Sequence, residues 1–319
     1  MKMRNIFYRR KGRTGGIGFI QFLVQVGVYS SLVITGYLLG STLPHSDKSD
    51  NISIYNNIEI NKDQNNKGKH ESVPNKNIKV LCYIVTSPTF LWTRAVHVKK
   101  TWGSRCDKTL YFSSVTNNSF PAIGLNVSEG REHLTAKSHL AFRYIYKHFF
   151  PKYDWFLKAD DNTYVIVENL KYFLSAKDKN APFFFGHHFD SVIQGGYASG
   201  GAGYVLSREA LRRLAEDGSD DVICRQDGGA EDVEIGKCLH NLGVIVGNSY
   251  DVDGKSLFHC FDPAAHLTGN FPSWYLRYDA AGALKGKRYM SKNAVSFHYV
   301  KPEAMYVYDY FLYNVNVNK

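Results

Sequence analysis

The five cysteines of this 319-residue chain include no C-x-x-C pair, so the spacing expected of a zinc site is missing. No acidic residue occurs before position 17, where Lys2, Arg4, Arg9, Arg10, Lys11 and Arg13 stand. Much of the formal net charge of +10 therefore sits in a short tail and the rest of the chain is only mildly basic, which excludes nucleic-acid binding as a reading of that charge. No charge of either sign occurs from Ile17 to Leu39, a run of 23 residues. As a helix it would reach ~35 Å, enough for a bilayer core of ~30 Å, and it is longer than the ~7–15 apolar residues of a signal peptide. Because the cations lie on its N-terminal side, the N-terminus is expected in the cytoplasm and the remainder beyond the membrane. A long, uncleaved or late-cleaved signal is the alternative. Residues 40–77 have almost no aromatic residue and are rich in Asn, Lys and Asp; too little apolar surface is available to order them, so a flexible stem is expected. No stretch of the chain repeats itself.

These absences divide the chain into a cytoplasmic tail (1–16), a transmembrane signal-anchor helix (17–39), a stem (40–77) and one folded lumenal domain (78–319). The cysteines agree with a location beyond the membrane. The preferred bridges are Cys82–Cys106 and Cys224–Cys238, the second closing a loop of about 15 residues for a contribution of ~3 kcal/mol in the chain-entropy model. Cys260 is left over, either buried and free or paired with another chain. N-x-S/T sequons stand at Asn51, Asn117 and Asn126.

Within the folded domain, "IKVLCYIVT" is a short, β-branched apolar run that predicts a buried strand, and "TLYFSS", "YDWFLKA" and "AGYVLS" predict further strands. "TRAVHVKKTW" predicts a helix. "REHLTAKSHLAFRYIYKHFF" predicts another, with Leu134, Ala141, Ile145 and His148 or Phe149 on one face. Ser207 is placed to cap "REALRRLAE", and Gly243 to close "EDVEIGKCLHNLG". Strands alternating with helices predict an α/β fold with a central, mostly parallel sheet flanked by helices. Ligands then belong beyond the carboxyl ends of the strands.

One such end stands out. "WFLKADDNTYV" runs from an apolar strand into Asp160, Asp161 and Asn162. Adjacent carboxylates repel unless a cation lies beside them. A divalent ion that takes few protein ligands, leaving the rest to substrate phosphates and water, would use oxygens two residues apart on a turn. An Asn carbonyl in the third position removes one negative charge and weakens such a site. An Asx-turn, in which Asp and Asn bond their own backbone, is the alternative.

The segments "KADDNTYV", "SGGAGYVLS", "EDVEIGKC" and "VSFHYV", in this order, resemble the core 1 β1,3-galactosyltransferases of glycosyltransferase family 31; "HVKKTW", "FPAIGL" and "EGREHL" fit as well. The likeness covers roughly residues 78–312. It implies a GT-A nucleotide-sugar-binding fold, dependence on Mn²⁺, and inverting transfer of galactose from UDP-galactose in β1,3 linkage onto O-linked GalNAc of glycoproteins. It further implies a type II protein of the Golgi membrane, a homodimer, and a dedicated chaperone. By position, the resemblance makes Asp160, Asn162 and His298 metal ligands, Asn162 standing where the family has its main metal-binding Asp. It assigns UDP to Val85, Glu129, Gly130, Arg131, Lys137, Asp160, His298 and Tyr299, and the acceptor sugar to Trp274, Gly201 and Glu231. Asp232 becomes the base that takes the proton of the acceptor 3-hydroxyl.

Taken singly these residues have plainer readings. "EDVE" is an ordinary acidic first turn of a helix, Trp274 a packing residue, His298 a strand histidine, and Arg131 and Lys137 solvated helix residues. The rival functions are an inactive or weakly active paralogue that serves as a chaperone or glycan-binding partner, which Asn162 leaves room for, and a family 31 transferase with another donor or acceptor.

Overall fold

A computed structural model describes residues 77–316 of the chain. The expected tail, membrane span and nearly all of the stem lie outside the described residues; among those described, no helix is long and apolar enough to cross a membrane.

The chain opens with β1 (Val80–Val85), α1 (Val96–Lys100), β2 (Lys108–Ser113), β3 (Ala122–Gly124) and α2 (Leu134–Phe149). There follow β4 (Trp155–Asp160), β5 (Tyr164–Val165), α3 (Val167–Ser175), β6 (Phe183–Gly186), the short pair β7 (His188–Phe189) and β8 (Tyr197–Ala198), and β9 (Tyr204–Ser207). α4 (Arg208–Glu216), α5 (Glu231–Asn241) and β10 (Ile245–Val246) complete the main layers. The last segment holds β11 (Phe258–His259), α6 (Pro263–Thr268), α7 (Tyr275–Tyr278), β12 (Ser296–Phe297) and α8 (Pro302–Tyr313).

Seven strands form the main sheet in the order β10-β6-β9-β4-β1-β2-β3. Its pairings are parallel except that β9 runs antiparallel to both β4 and β6. The architecture is therefore the expected α/β one, with a mostly parallel sheet. β1 shows why the pattern was continuous rather than alternating: it is central and buried along its whole length. Val80, Cys82 and Ile84 pack into one apolar layer, and Leu81, Tyr83 and Val85 into the other, the period of two that a strand requires. The first layer is completed by Leu170 and Leu174 of α3 and Met305 of α8. The second is completed by Phe142 and Ile145 of α2, Leu211 and Leu214 of α4, and Ile235 and Leu239 of α5.

The expected disulfides are both present, Cys82–Cys106 and Cys224–Cys238, and Cys260 is free and buried. Ser207 caps α4 by accepting from the amide of Ala210 at 3.0 Å, and Gly243, at φ 67°, follows the end of α5. On α2, Ala141 and Ile145 are buried as expected, while Leu134 and Phe149 are half-buried and His148 is exposed.

The helix expected over "TRAVHVKKTW" is broken. A π-turn covers Leu91–Ala95, α1 is only five residues long, and a 3₁₀ turn covers Trp102–Arg105. The break lies at Thr101 (φ −116°, ψ −117°), whose hydroxyl donates to the His97 carbonyl at 2.7 Å. It lets Trp102 turn inward, where the indole is fully buried and donates to the Thr163 carbonyl at 2.9 Å. Burial of so large a ring, with its N–H satisfied, outweighs the lost helical hydrogen bonds. The contact braces Thr163, which closes the turn that carries Asp160.

Candidate active site

The carboxyl ends of β1 and β4, the loop before β9, the N-terminus of α5 and the segments around β12 and α7 surround a cleft of about 740 Å³. Val85, Arg131, Asp160, Gly201, Glu231, Asp232, Trp274, His298 and Tyr299 all line it, although they come from segments spread over more than 200 positions. Val85 is there because parallel register puts it beside Asp160 at the ends of adjacent strands. Glu129, Gly130, Lys137 and Asn162 are not part of the lining. Lys137 is buried behind the wall, donating to both carboxylate oxygens of Glu129 (2.9 and 3.0 Å) and to the Thr86 carbonyl (3.1 Å). These bonds and the salt bridge hold Glu129 below its ordinary pKa against the opposing effect of burial.

At the strand end, Thr163 N–H donates to the Asp160 carbonyl at 3.1 Å and closes a turn. The adjacent carboxylates then separate. Asp161 points into the fold, accepting from the Thr86 hydroxyl at 2.8 Å, with Arg94 at 3.7 Å; burial, opposed by that hydrogen bond and assisted by the charge of Asp160, pushes its pKa up to about 6. Asp160 points into the cleft. Both carboxylates thus have partners across the fold, and the turn does not depend on an Asx bond from either. The Asn162 carbonyl accepts from Val300 N–H at 2.9 Å, which ties this turn to the segment that carries His298.

Asp160 stands between two partners. Lys158 Nζ donates to its Oδ1 at 2.7 Å, and His298 Nε2 lies 3.8 Å from its Oδ2. Burial works to raise the Asp160 pKa, but Lys158, His298 and Arg131 outweigh it and hold the carboxyl below its usual range. His298 is pulled down to about 4, chiefly by burial, so the imidazole is neutral at physiological pH. Its position depends on Gly201, since a Cβ there would lie 2.1 Å from His298 Cε1.

Tyr299 follows in left-handed backbone (φ 55°), which costs a non-glycine residue about 1 kcal/mol. Neighbouring hydrogen bonds enforce it: His298 N–H to the His259 carbonyl on one side (3.1 Å) and Val300 N–H to Asn162 on the other. The reversal turns the Tyr299 ring against His298 (centroids 3.9 Å apart) and near-parallel to Phe261.

The start of α5, Glu231 and Asp232, also lines the cleft. Asp232 accepts from the Gly200 amide at 3.0 Å through one oxygen and from the Val233 amide at 3.0 Å through the other. These two amide bonds fix the carboxylate at the start of the helix. Glu231 is buried and accepts from Ser138 (2.7 Å) and Tyr204 (2.8 Å), with Lys158 at 3.5 Å; burial raises its pKa, and the pull of Lys158 does not fully offset this. Trp274, 42% exposed, presents its indole at the cleft rim, packed edge-on against Phe189 and Tyr278. A buried pair beneath this rim, His187 with Asp279 at 3.1 Å, anchors it, and Asp279 also accepts from Ala283 N–H at 2.6 Å.

Sequence reasoning missed Lys158, Ser138, Phe189, Tyr197, Tyr278 and Cys260, all of which line the cleft. Only Lys158 carried a usable signal: two positions before Asp160 on a strand, it shares that residue's face.

The donor set fits a hard divalent cation. Asp160 Oδ2 and His298 Nε2 face each other across 3.8 Å on the cleft wall, and the imidazole is neutral, as a ligand must be. Among the described residues no group of three or more His, Cys, Asp or Glu side chains is placed to hold an ion.

Residues 76–259 match the family model described as Fringe-like. The chain is 40% identical, over 92% of its length and 85% of the relative's, to glycoprotein-N-acetylgalactosamine 3-beta-galactosyltransferase 1 of Xenopus laevis. It is 28% identical, over 65% of its length and 40% of the relative's, to beta-1,3-glucosyltransferase of Mus musculus. Among solved structures, a glycosyltransferase involved in glycosylation of the major capsid of PBCV-1 aligns at 14% identity, covering 72% of this chain and 99% of that one, with a TM-score of only 0.37. The family model spans more than half of the chain and the Xenopus relative nearly all of it, so this protein belongs to the Fringe-like glycosyltransferases of family 31.

Proposed function

We propose that this chain is an inverting, UDP-galactose-dependent β1,3-galactosyltransferase acting on O-linked GalNAc of glycoproteins, held in the Golgi membrane by its N-terminal apolar segment. The observation that carries the reading is one cleft lined both by a candidate donor pole, Asp160 and His298, and by a helix-start carboxylate, Asp232. The name of the Xenopus relative supports the choice of sugar and acceptor.

In this reading Asp160 and His298 would hold Mn²⁺, which when bound supplies positive charge to the diphosphate of the donor. Arg131 adds a fixed cation in the same cleft. Tyr299 and Val85 border the nucleotide. Trp274 offers its apolar face to the C–H face of the acceptor sugar, and Glu231 and Gly201 border the acceptor. Asp232 takes the proton of the acceptor 3-hydroxyl as that oxygen attacks the anomeric carbon. The C1–O bond to UDP breaks, the pair of electrons leaves with UDP, and the configuration at C1 inverts. No covalent intermediate with the protein is needed, so one carboxylate on the acceptor side suffices.

Incubating the full chain with UDP-galactose and a GalNAc-bearing peptide, with and without Mn²⁺, tests this. A β1,3-linked galactose that appears only with the ion is expected. UDP binding without transfer of galactose, or galactose in another linkage, would make this a different family 31 transferase. Neither transfer nor UDP binding would favour the chaperone reading, for which Asn162 is the motivating residue.

A further inference from the structure

Lys158 is the one charged residue within the apolar run of β4 before its acidic end, and it is 3% exposed. A lysine so enclosed is rare unless its charge is paired. Its ammonium has three protons to donate. It meets Asp160 Oδ1 at 2.7 Å, the Gly200 carbonyl at 3.1 Å and Glu231 Oε2 at 3.5 Å. The Gly200 unit passes the connection on, because its own N–H donates to Asp232 at 3.0 Å. Glu231 is fixed from its far side by Ser138 and Tyr204. Gly200 is required for this closeness: a Cβ there would lie 2.8 Å from Glu231 Oε2 and 3.4 Å from Lys158 Nζ. A single ammonium thus meets Asp160 and Glu231 directly and is linked to Asp232 through the Gly200 backbone.

The same contact has an electrostatic consequence. Lys158 occupies one oxygen of Asp160, and position 162 is a neutral Asn. A free divalent ion approaching Asp160 Oδ2 and His298 meets a carboxylate already compensated by a neighbouring positive charge. A diphosphate arriving with the ion supplies the missing negative charge.

We propose that Lys158 is a positioning residue for the transfer, which locks Asp160, Gly200, Glu231 and Asp232 in one frame and keeps the affinity for free cation low, so that ion and nucleotide bind together. This rests on the galactosyltransferase reading above. It predicts effects of opposite sign on two observables, which a general structural defect would not give.

The test compares Lys158→Met with wild type in the full chain. Mn²⁺ binding without nucleotide is measured by water-proton relaxation, and kcat and KM for UDP-galactose by transfer. A fall in kcat of about 100-fold is expected from the lost alignment, with KM changed by less than about threefold. Mn²⁺ alone is expected to bind about tenfold more tightly, the ammonium having been removed from beside its ligand. Lys158→Met with kcat within about threefold of wild type, or with Mn²⁺ affinity falling alongside kcat, overturns the proposal. Should that variant give no cooperative melt, the charge-balanced Lys158→Met/Glu231→Gln pair is compared with Glu231→Gln alone. A further loss of kcat in the pair supports the role, and equal rates overturn it. Failure of wild type both to transfer galactose and to bind UDP ends the underlying reading and this proposal together; an active wild type beside an indifferent Lys158→Met ends only the proposal.

Discussion

Replacing Gly201 with alanine should disable the site while leaving the fold in place. Gly201 is not in left-handed backbone, so alanine introduces no φ strain there. The cost is steric and directed. The new Cβ would fall 2.1 Å from Cε1, 2.2 Å from Nδ1 and 2.8 Å from Nε2 of His298, against an ordinary contact of at least 3.4 Å. The imidazole must therefore retreat by about 1.3 Å, the difference between 3.4 and 2.1 Å. The Tyr299 ring, 3.9 Å away between centroids, limits where the imidazole can go. It also breaks the 3.8 Å facing of Nε2 and Asp160 Oδ2, on which the proposed cation site depends. A misplacement of about 1 Å costs on the order of 100-fold in rate, so kcat/KM should fall by about that factor. The thermal midpoint should fall by about 2–12 °C, since a strain of ~1–3 kcal/mol shifts a domain of this size by about 2–4 °C per kcal/mol and leaves it folded. Transfer assays with calorimetry of UDP–Mn²⁺ binding would show a joint loss of binding and rate in a folded protein. A Gly201→Ala enzyme with wild-type rate and donor affinity would refute the placement of His298 at the donor.

Three other outcomes follow from the geometry. Asp232→Asn should reduce transfer by ~10²–10⁴-fold, the usual worth of a general base, with UDP affinity nearly unchanged in calorimetry; loss of both would make Asp232 structural. Asn162→Asp should strengthen Mn²⁺ binding in the presence of UDP by about tenfold, equivalent to ~1.4 kcal/mol from one added carboxylate, and raise kcat/KM; an unchanged titration would mean that side chain 162 takes no part. His139 is buried on α2, and burial pulls its pKa from 6.5 to about 4. Between these pH values the unfolded chain binds the extra proton, so stability contributed at neutral pH is lost as pH falls from 6.5 toward 4, by up to ~3 kcal/mol. Urea unfolding at pH 7 and pH 4.5 should show a smaller loss in His139→Gln than in wild type; equal losses would remove His139 as a cause.

Much of this arrangement was written locally. β1, β4 and β9 were legible because central strands are apolar on both faces, and the end of β4 was legible because Asp160 and Asp161 interrupt such a run abruptly. The Ser207 cap and the disulfide-linked loop at α5 were legible for similarly local reasons. What was hidden depends on tertiary direction. Nothing in "HVKKTW" says that Thr101 leaves the helix so that Trp102 can reach the Thr163 carbonyl. Helical spacing placed Lys137 on α2 but could not show that Glu129 and Thr86 would enclose its ammonium away from the cleft wall. Phe189 sits on a two-residue strand and Tyr278 on a single helical turn, both too short to show any period. Lys158 was the avoidable omission, since strand alternation alone puts it beside Asp160.

The most direct test is to soak crystals of the protein with Mn²⁺ and UDP and locate the metal by anomalous scattering. One peak is expected within about 2.0–2.3 Å of both Asp160 and His298 and next to the diphosphate, with the Asp232 carboxylate facing the same space. An anomalous peak elsewhere, or a bound nucleotide with Asp232 turned away from it, would contradict the account.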